Sequence, residues 1–283
     1  MSHNAMSHNA MSHVMSKLAC SLLLVVSGAF AAFAQGAAPP EVVKEIAPTG
    51  KLRAAINLGN AVLAQKGADG APKGVSVDLA RELARRLGVP IELVTFEAAG
   101  KVFEGIKAGS VDLAFIAIEP VRAAEIEFSS PYVLIEGGYM VPKDSALKAI
   151  EEVDRPGIKI AVGLNSAYDL FLTRTIKNAQ VVRAHTGGGE AMIELFRKDK
   201  LDVVAGVKPV LVEYAKTNAA MRVMDGRFMV IQQSMGLPKG RTTAARYVRT
   251  FVEDVKASGF VADALKRSNQ TDATVAPPER AGG

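Results

Sequence analysis

Residues Gly109–Tyr132 read G-S-V-D-L-A-F-I-A-I-E-P-V-R-A-A-E-I-E-F-S-S-P-Y. An apolar strand, Val111–Ile118, stops at a helical turn that begins at Pro120 and carries one cation, Arg122. A second short strand follows. Pro suits the first helical position because its φ is already fixed and its missing N–H has no partner to lose there. An open α/β sheet binds ligands outside the carboxyl ends of its strands, so Arg122 stands where a small anionic ligand would sit. Its planar fork of five donors matches a carboxylate. The alternative for the residue by itself is an ordinary surface helix arginine.

Outward from this stretch, strands and helices alternate. Leu52–Asn57 reads as a first strand. Val75–Leu87 places Val77, Leu79, Leu83 and Leu87 on one face with charge between them, an amphipathic helix that Gly88-Val89-Pro90 ends. Ile91–Phe96 is a strand and Gly100–Ala108 a helix. After Val141-Pro142 the pattern restarts with strand Ile158–Val162, helix Ser166–Ile176, strand Gln180–Arg183, helix Gly189–Arg197, strand Leu201–Ala205 and helix Val210–Lys216. Phe228–Met235 then reads as a strand and Thr242–Ser258 as a long amphipathic helix. Such alternation implies parallel sheets covered by helices. Phe103–Asp112 aligns without a gap on Ile193–Asp202, an offset of 90 residues, each a helix end, a polar turn and an Asp opening a buried strand. Asp112 and Asp202 are expected to serve the turn rather than a ligand, because Asp side chains bond nearby backbone N–H groups.

The first residues read as a targeting segment. Two M-S-H-N-A repeats and Met11-Ser12-His13 precede Met15, a plausible start. Lys17 gives a positive n-region, Leu22–Val26 an apolar h-region, and Ala32-Phe33-Ala34 an A-x-A cleavage site. The run is shorter than the ~20 apolar residues of a membrane span. Cys20 lies in a poor lipobox, so cleavage to a mature chain beginning near Gln35 is expected, with periplasmic delivery.

Removing residues 1–34 takes away the only Cys and three of the four His, leaving His185. Zinc sites of Cys and His, a Cys nucleophile and multi-histidine constellations are thereby excluded, and no ligand-spaced acidic loop is present; neither metal nor cofactor is expected. The net charge of +5 falls to about +4 with Lys17 removed. Its charges are interspersed, which fits neither nucleic acid nor membrane as a partner. The remaining roughly 250 residues exceed what one core fills comfortably, so two lobes are expected.

The order D-x-x-x-x-x-x-x-P-x-R-x-x-x-I-x-F-S-x-P-Y from Asp112 to Tyr132 resembles the extracytoplasmic solute-binding proteins of ABC importers, in the family 3 branch that binds amino acids and similar polar compounds. Gly74-Val75-Ser76-Val77-Asp78-Leu79-Ala80 with Leu87-Gly88 is similar to that family's helix start. The resemblance spans nearly the whole mature chain. It implies the type 2 periplasmic binding protein fold: two doubly wound α/β lobes joined by a two-strand hinge, the strands lying near Gly137–Val141 and Phe228–Met235. The implied division is leader 1–34, first part of lobe 1 at 50–140, lobe 2 at 141–228, the return to lobe 1 at 229–270 and a loose tail at 271–283.

The resemblance also implies site residues. Arg122 matches the position that holds the ligand carboxylate. Ala117 and Glu119 stand at the strand end before it. Glu119, where a Thr is usual, either pairs with Arg122, accepts from a ligand amine or faces water. Asn57 and Asn60 lie where ligand side chains are contacted, Asn60 replacing an aromatic lid; a turn role serves each equally well. In lobe 2, Asn165-Ser166-Ala167-Tyr168 corresponds to a G-[ST]-[ST] segment against the carboxylate. Ser166 is also a good N-cap, and Tyr168 either walls the cleft or simply packs. His185 is a cleft residue or a plain loop histidine. Val207 stands near where amino-acid binders carry an acid for the ligand ammonium, so the ligand need not be an α-amino acid. The implied function is a monomeric periplasmic receptor that closes on a carboxylate-bearing or amino-acid-like solute and delivers it to an inner-membrane ABC permease. The alternatives are an enzyme on the same scaffold, similar to cyclohexadienyl dehydratases with Glu119 or His185 as general acid, and a ligand-sensing module.

Overall fold

The computed structural model describes residues 38–185 and 188–279; the readings placed on 1–34, Cys20 and the cleavage site included, lie outside them. Helix α1 (Pro40–Ile46) precedes strand β1 (Leu52–Asn57). A hairpin of β2 (Gln65–Lys66) and β3 (Pro72–Lys73) leads to α2 (Val75–Leu87), β4 (Ile91–Phe96), α3 (Ala99–Lys107), β5 (Leu113–Ala117), the one-turn α4 (Pro120–Ala123) and β6 (Ile126–Pro142). A second series runs β7 (Lys159–Gly163), α5 (Ala167–Thr175), β8 (Gln180–Ala184), α6 (Gly189–Lys198), β9 (Val203–Val207), α7 (Lys208–Thr217) and β10 (Met221–Val223). The chain returns through β11 (Met229–Pro238) to α8 (Thr242–Ala257), α9 (Phe260–Arg267) and β12 (Thr274–Val275).

The two series build the same lobe twice. In the first, the parallel strands stand in the order β4-β1-β5; in the second, β8-β7-β9. Each is then closed by an antiparallel strand, β11 beside β5 and β6 beside β9. Because β6 and β11 also pair with each other, they form the expected two-strand connection. The 90-residue repeat has a structural counterpart. Asp112 bonds back to Arg53 through both its N–H and its carboxylate, tying the start of β5 to that of β1. Asp202 bonds to Lys159 in the same two ways, tying β9 to β7. Both aspartates serve backbone closure, not the cleft.

Local physics explains the elements. Along α2 the buried residues include Val77, Leu79, Leu83 and Leu87, and Gly88 ends the helix at φ 68°, a left-handed conformation Gly adopts without a Cβ clash. The strand after Arg122 is not short. Strand β6 runs for 17 residues, straight through Pro131. That proline pairs with Ser234 where the β6–β11 register shifts, so its missing N–H falls at an irregularity rather than in a regular ladder. The partners of β6 change from β12 at Leu134 to β9 at Gly137, opposite Val207.

The tail departs from expectation as far as Glu279. Strand β12 pairs with Val133 and Leu134 of β6, Ala276 N–H donates to the Tyr132 carbonyl at 3.1 Å, and Ala273 and Ala276 are buried. Pro277-Pro278 mark a chain end, but the Ala273-Thr274-Val275-Ala276 segment before them supplies an extended, largely apolar edge strand.

Candidate functional site

A cavity of about 50 Å³ lies between the lobes, several times the ~10–15 Å³ that one water requires. Its walls come from the carboxyl ends of parallel strands: Asn57 of β1, Ala98 and Ala99 beyond β4, Ala117 of β5, Gly163 of β7 and Val207 of β9. Ile231 and Gln233, alternate residues of β11, complete it. Two copies of an α/β lobe thus present their ligand-accepting edges to one space.

Arg122 lines this cavity and is 1% exposed. Its Nη1 donates to the Ala117 carbonyl at 2.9 Å and its Nη2 to the Asn165 carbonyl, across the cleft, at 2.7 Å. Both partners are neutral, and among the described residues no carboxylate pairs with it. Burial pulls its pKa down to about 10, opposed by the charge of Glu119. An arginine held this way remains charged at neutral pH and retains donor capacity for an anion.

Glu119 is itself buried, but it accepts from Arg174 Nη1 at 2.6 Å and does not line the cavity. Of the three possibilities left by the sequence, none describes it: its partner is a lobe 2 arginine. Asn165 is likewise absent from the lining. It has a φ of 58°, the left-handed region where Asn is tolerated best after Gly, which accounts for Asn standing where the resemblance places Gly. Its contribution is the backbone carbonyl on Arg122. His185 is exposed and outside the lining, a loop histidine.

The other expected residues converge. Asn57, Asn60, Ala117, Ser166, Tyr168 and Val207 all line the cavity with Arg122. Ser166 does so while capping α5, its Oγ accepting from Asp169 N–H at 3.0 Å. The side chain of Asn57 accepts from Gly59 N–H at 3.0 Å, so it shapes the turn as well as the wall. Asn60 is 6% exposed, and its Oδ1 has no hydrogen-bond partner. Tyr168 is buried, its pKa pushed up to about 12 chiefly by desolvation, so its phenol is neutral. Gly59, Gly188, Leu164, Ile231 and Gln233 were not foreseen. The signal available for Gln233 was the polar run Gln232-Gln233-Ser234 inside a strand that is apolar on either side, β11.

The lobes touch closely around this cavity. A Cβ on Gly188 would lie 2.5 Å from Gly59 Cα, and one on Gly100 2.8 Å from Asn165 Cβ. This approach of the lobes leaves no room for a Cβ at either position, since real Cβ atoms do not come so near.

The model of the bacterial extracellular solute-binding proteins, family 3, matches residues 52–269. The chain belongs to this family. Among relatives of this solute-binding protein, the L-cystine-binding protein TcyJ of Escherichia coli K12 is 23% identical over 197 residues, covering 69% of this chain and 73% of that protein. The fold matches the cysteine-binding protein of Campylobacter jejuni with a TM-score of 0.70 at 17% identity, over 83% of this chain and 99% of that one. It also matches an ancestral amino-acid-binding protein, AncCDT-1, a precursor of cyclohexadienyl dehydratase, with a TM-score of 0.67 at 24% identity, over 80% and 98%. These neighbours share the type 2 periplasmic binding protein architecture of this family 3 protein.

Proposed function

We propose that this protein is an extracytoplasmic receptor that closes its two lobes on a small carboxylate-bearing, amino-acid-like solute and delivers it to the permease of an ABC importer. The observation that carries the reading is Arg122: a buried guanidinium facing a cavity built by both lobes, with no carboxylate paired to it among the described residues. A ligand that touches both lobes selects the closed arrangement. Relatives named for binding cystine and cysteine support a carboxylate-bearing solute. The enzyme alternative relied on Glu119 or His185; the first is engaged by Arg174 and the second lies outside the cavity.

Native mass spectrometry of freshly purified protein should show a retained small acid. Arg122→Met should lose it, and affinity for the identified acid should fall about a hundredfold or more, since breaking a buried charged pair costs about 3–5 kcal/mol. Unchanged affinity in the variant would defeat the assignment.

A further inference from the structure

We propose that the solute is a small hydroxy-monocarboxylate, carrying one negative charge and an uncharged hydroxyl and no ammonium group. The inference rests on the receptor reading above and deepens it. It starts from the charge of the cavity. Among the described lining residues Arg122 is the sole charged side chain; the rest are Asn, Gln, Ser, Tyr, Gly and apolar residues. The lining therefore carries one positive charge and no negative one. The two buried carboxylates near it are already neutralised. Glu119 accepts from Arg174, and Asp169 accepts from Arg183 Nε at 2.9 Å and from the N–H of Asn165 at 2.8 Å.

A monocarboxylate brings this lining to neutrality. A zwitterion would add an ammonium to the same enclosed space as Arg122, with no carboxylate among the described lining residues to receive it. A buried charge without a partner is strongly disfavoured, and amide or hydroxyl groups offer hydrogen bonds but no countercharge. The side chains of Val207 and Ile231, also in the lining, offer neither.

The second polar group is set by Asn60. Its Oδ1 is the one buried side-chain nitrogen or oxygen without a hydrogen-bond partner among the described residues, and a buried acceptor of that kind calls for a donor. A hydroxyl meets the need whichever way the amide is turned, donating to Oδ1 or accepting from Nδ2. The cavity's small volume favours a short acid over one with a long side chain.

Matched pairs test this directly. Protein stripped of retained solute by unfolding and refolding would be titrated calorimetrically with glycolate against glycine, L-lactate against L-alanine, and L-2-hydroxybutyrate against L-2-aminobutyrate. The hydroxy acid of at least one pair should bind about tenfold or more tightly than its amine twin. Asn60→Asp, which adds a carboxylate in the same shape, should invert that preference; the wild-type pairs stand even if that variant fails to fold. Equal or tighter binding of the amino acids, lost in Arg122→Met, would overturn the hydroxy-acid inference and leave the carboxylate receptor intact. Binding of neither series, with Arg122→Met indistinguishable from wild type, would overturn both.

Discussion

Arg174 of lobe 2 donates to Glu119 of lobe 1 at 2.6 Å, three residues from Arg122, whose own guanidinium reaches back to the Asn165 carbonyl of lobe 2. The two arginines thus cross the cleft in opposite directions. The carboxylate is buried while Arg174 is 42% exposed, so the pair lies between a surface bridge and a buried one, and solvent screens it in part. Because its partners sit on different lobes, it contributes only when they are closed. Arg174→Ala should weaken solute affinity about tenfold, and Glu119→Gln less, since a buried amide tolerates a lost cation better than a buried carboxylate does. Calorimetry on the two single variants and the double variant would measure the coupling. Additive effects would show that the pair does not report closure.

Gly100 provides a test in which two effects have opposite signs. It lies in the first turn of α3, where Ala is favoured over Gly by about 1 kcal/mol. Yet its added Cβ would fall 2.8 Å from Asn165 Cβ and 3.3 Å from the Leu164 carbonyl. Gly100→Ala should leave the melting temperature of solute-free protein unchanged or raised while lowering affinity at least tenfold. Small-angle scattering with solute should show lobes held further apart than in the wild type. A fall in melting temperature without a change in affinity would contradict this.

Most of the scaffold was legible because period and punctuation agree along it. The apolar spacing of α2 ends on Gly88, and the buried run of β5 ends before a Pro-started turn. The α/β class and the place of Arg122 at a strand end followed from that, while the hinged two-lobe arrangement came from the family resemblance. Less visible was whatever depends on a partner far away in sequence. Nothing local marks Glu119 as the acceptor for Arg174, 55 residues on, or distinguishes Asn165, which contributes a carbonyl, from Asn60, which presents its side chain. The full length of β6 is not legible either, because Pro131 is tolerated only through an irregularity in its pairing with β11, and Gln233 reaches the cavity only because β11 returns to lobe 1.

The docked tail gives a stability prediction. Deleting 271–283 removes β12, exposes the surface under Ala273 and Ala276, and takes the Pro277 carbonyl from Lys256 Nζ. That loss is about 2 kcal/mol by apolar area and a few hydrogen bonds, which for a chain of this size lowers the melting temperature by about 4–8 °C. Because β12 sits on β6 just before the strand changes lobes, affinity should move as well. A truncated protein that melts with the full chain would show the tail to be dispensable.

The titration of Arg122 sets the pH range over which a carboxylate is held. Its pKa is lowered by burial to about 10 from an ordinary 12.5, so in the closed cleft without solute the guanidinium is charged below that value and loses its proton as pH rises through it. A bound carboxylate favours the charged form and moves the pKa back up. Binding therefore takes up a proton at high pH, and affinity should decline about tenfold per pH unit once the medium is above about 10. At the acid end the solute's own carboxyl, near pH 4, imposes the opposite limit. Between about pH 5 and 9 affinity should be flat. Calorimetry in buffers of different ionisation enthalpy would detect the proton uptake above pH 9. Affinity that falls already between pH 6 and 8 would place a different titrating group in the site.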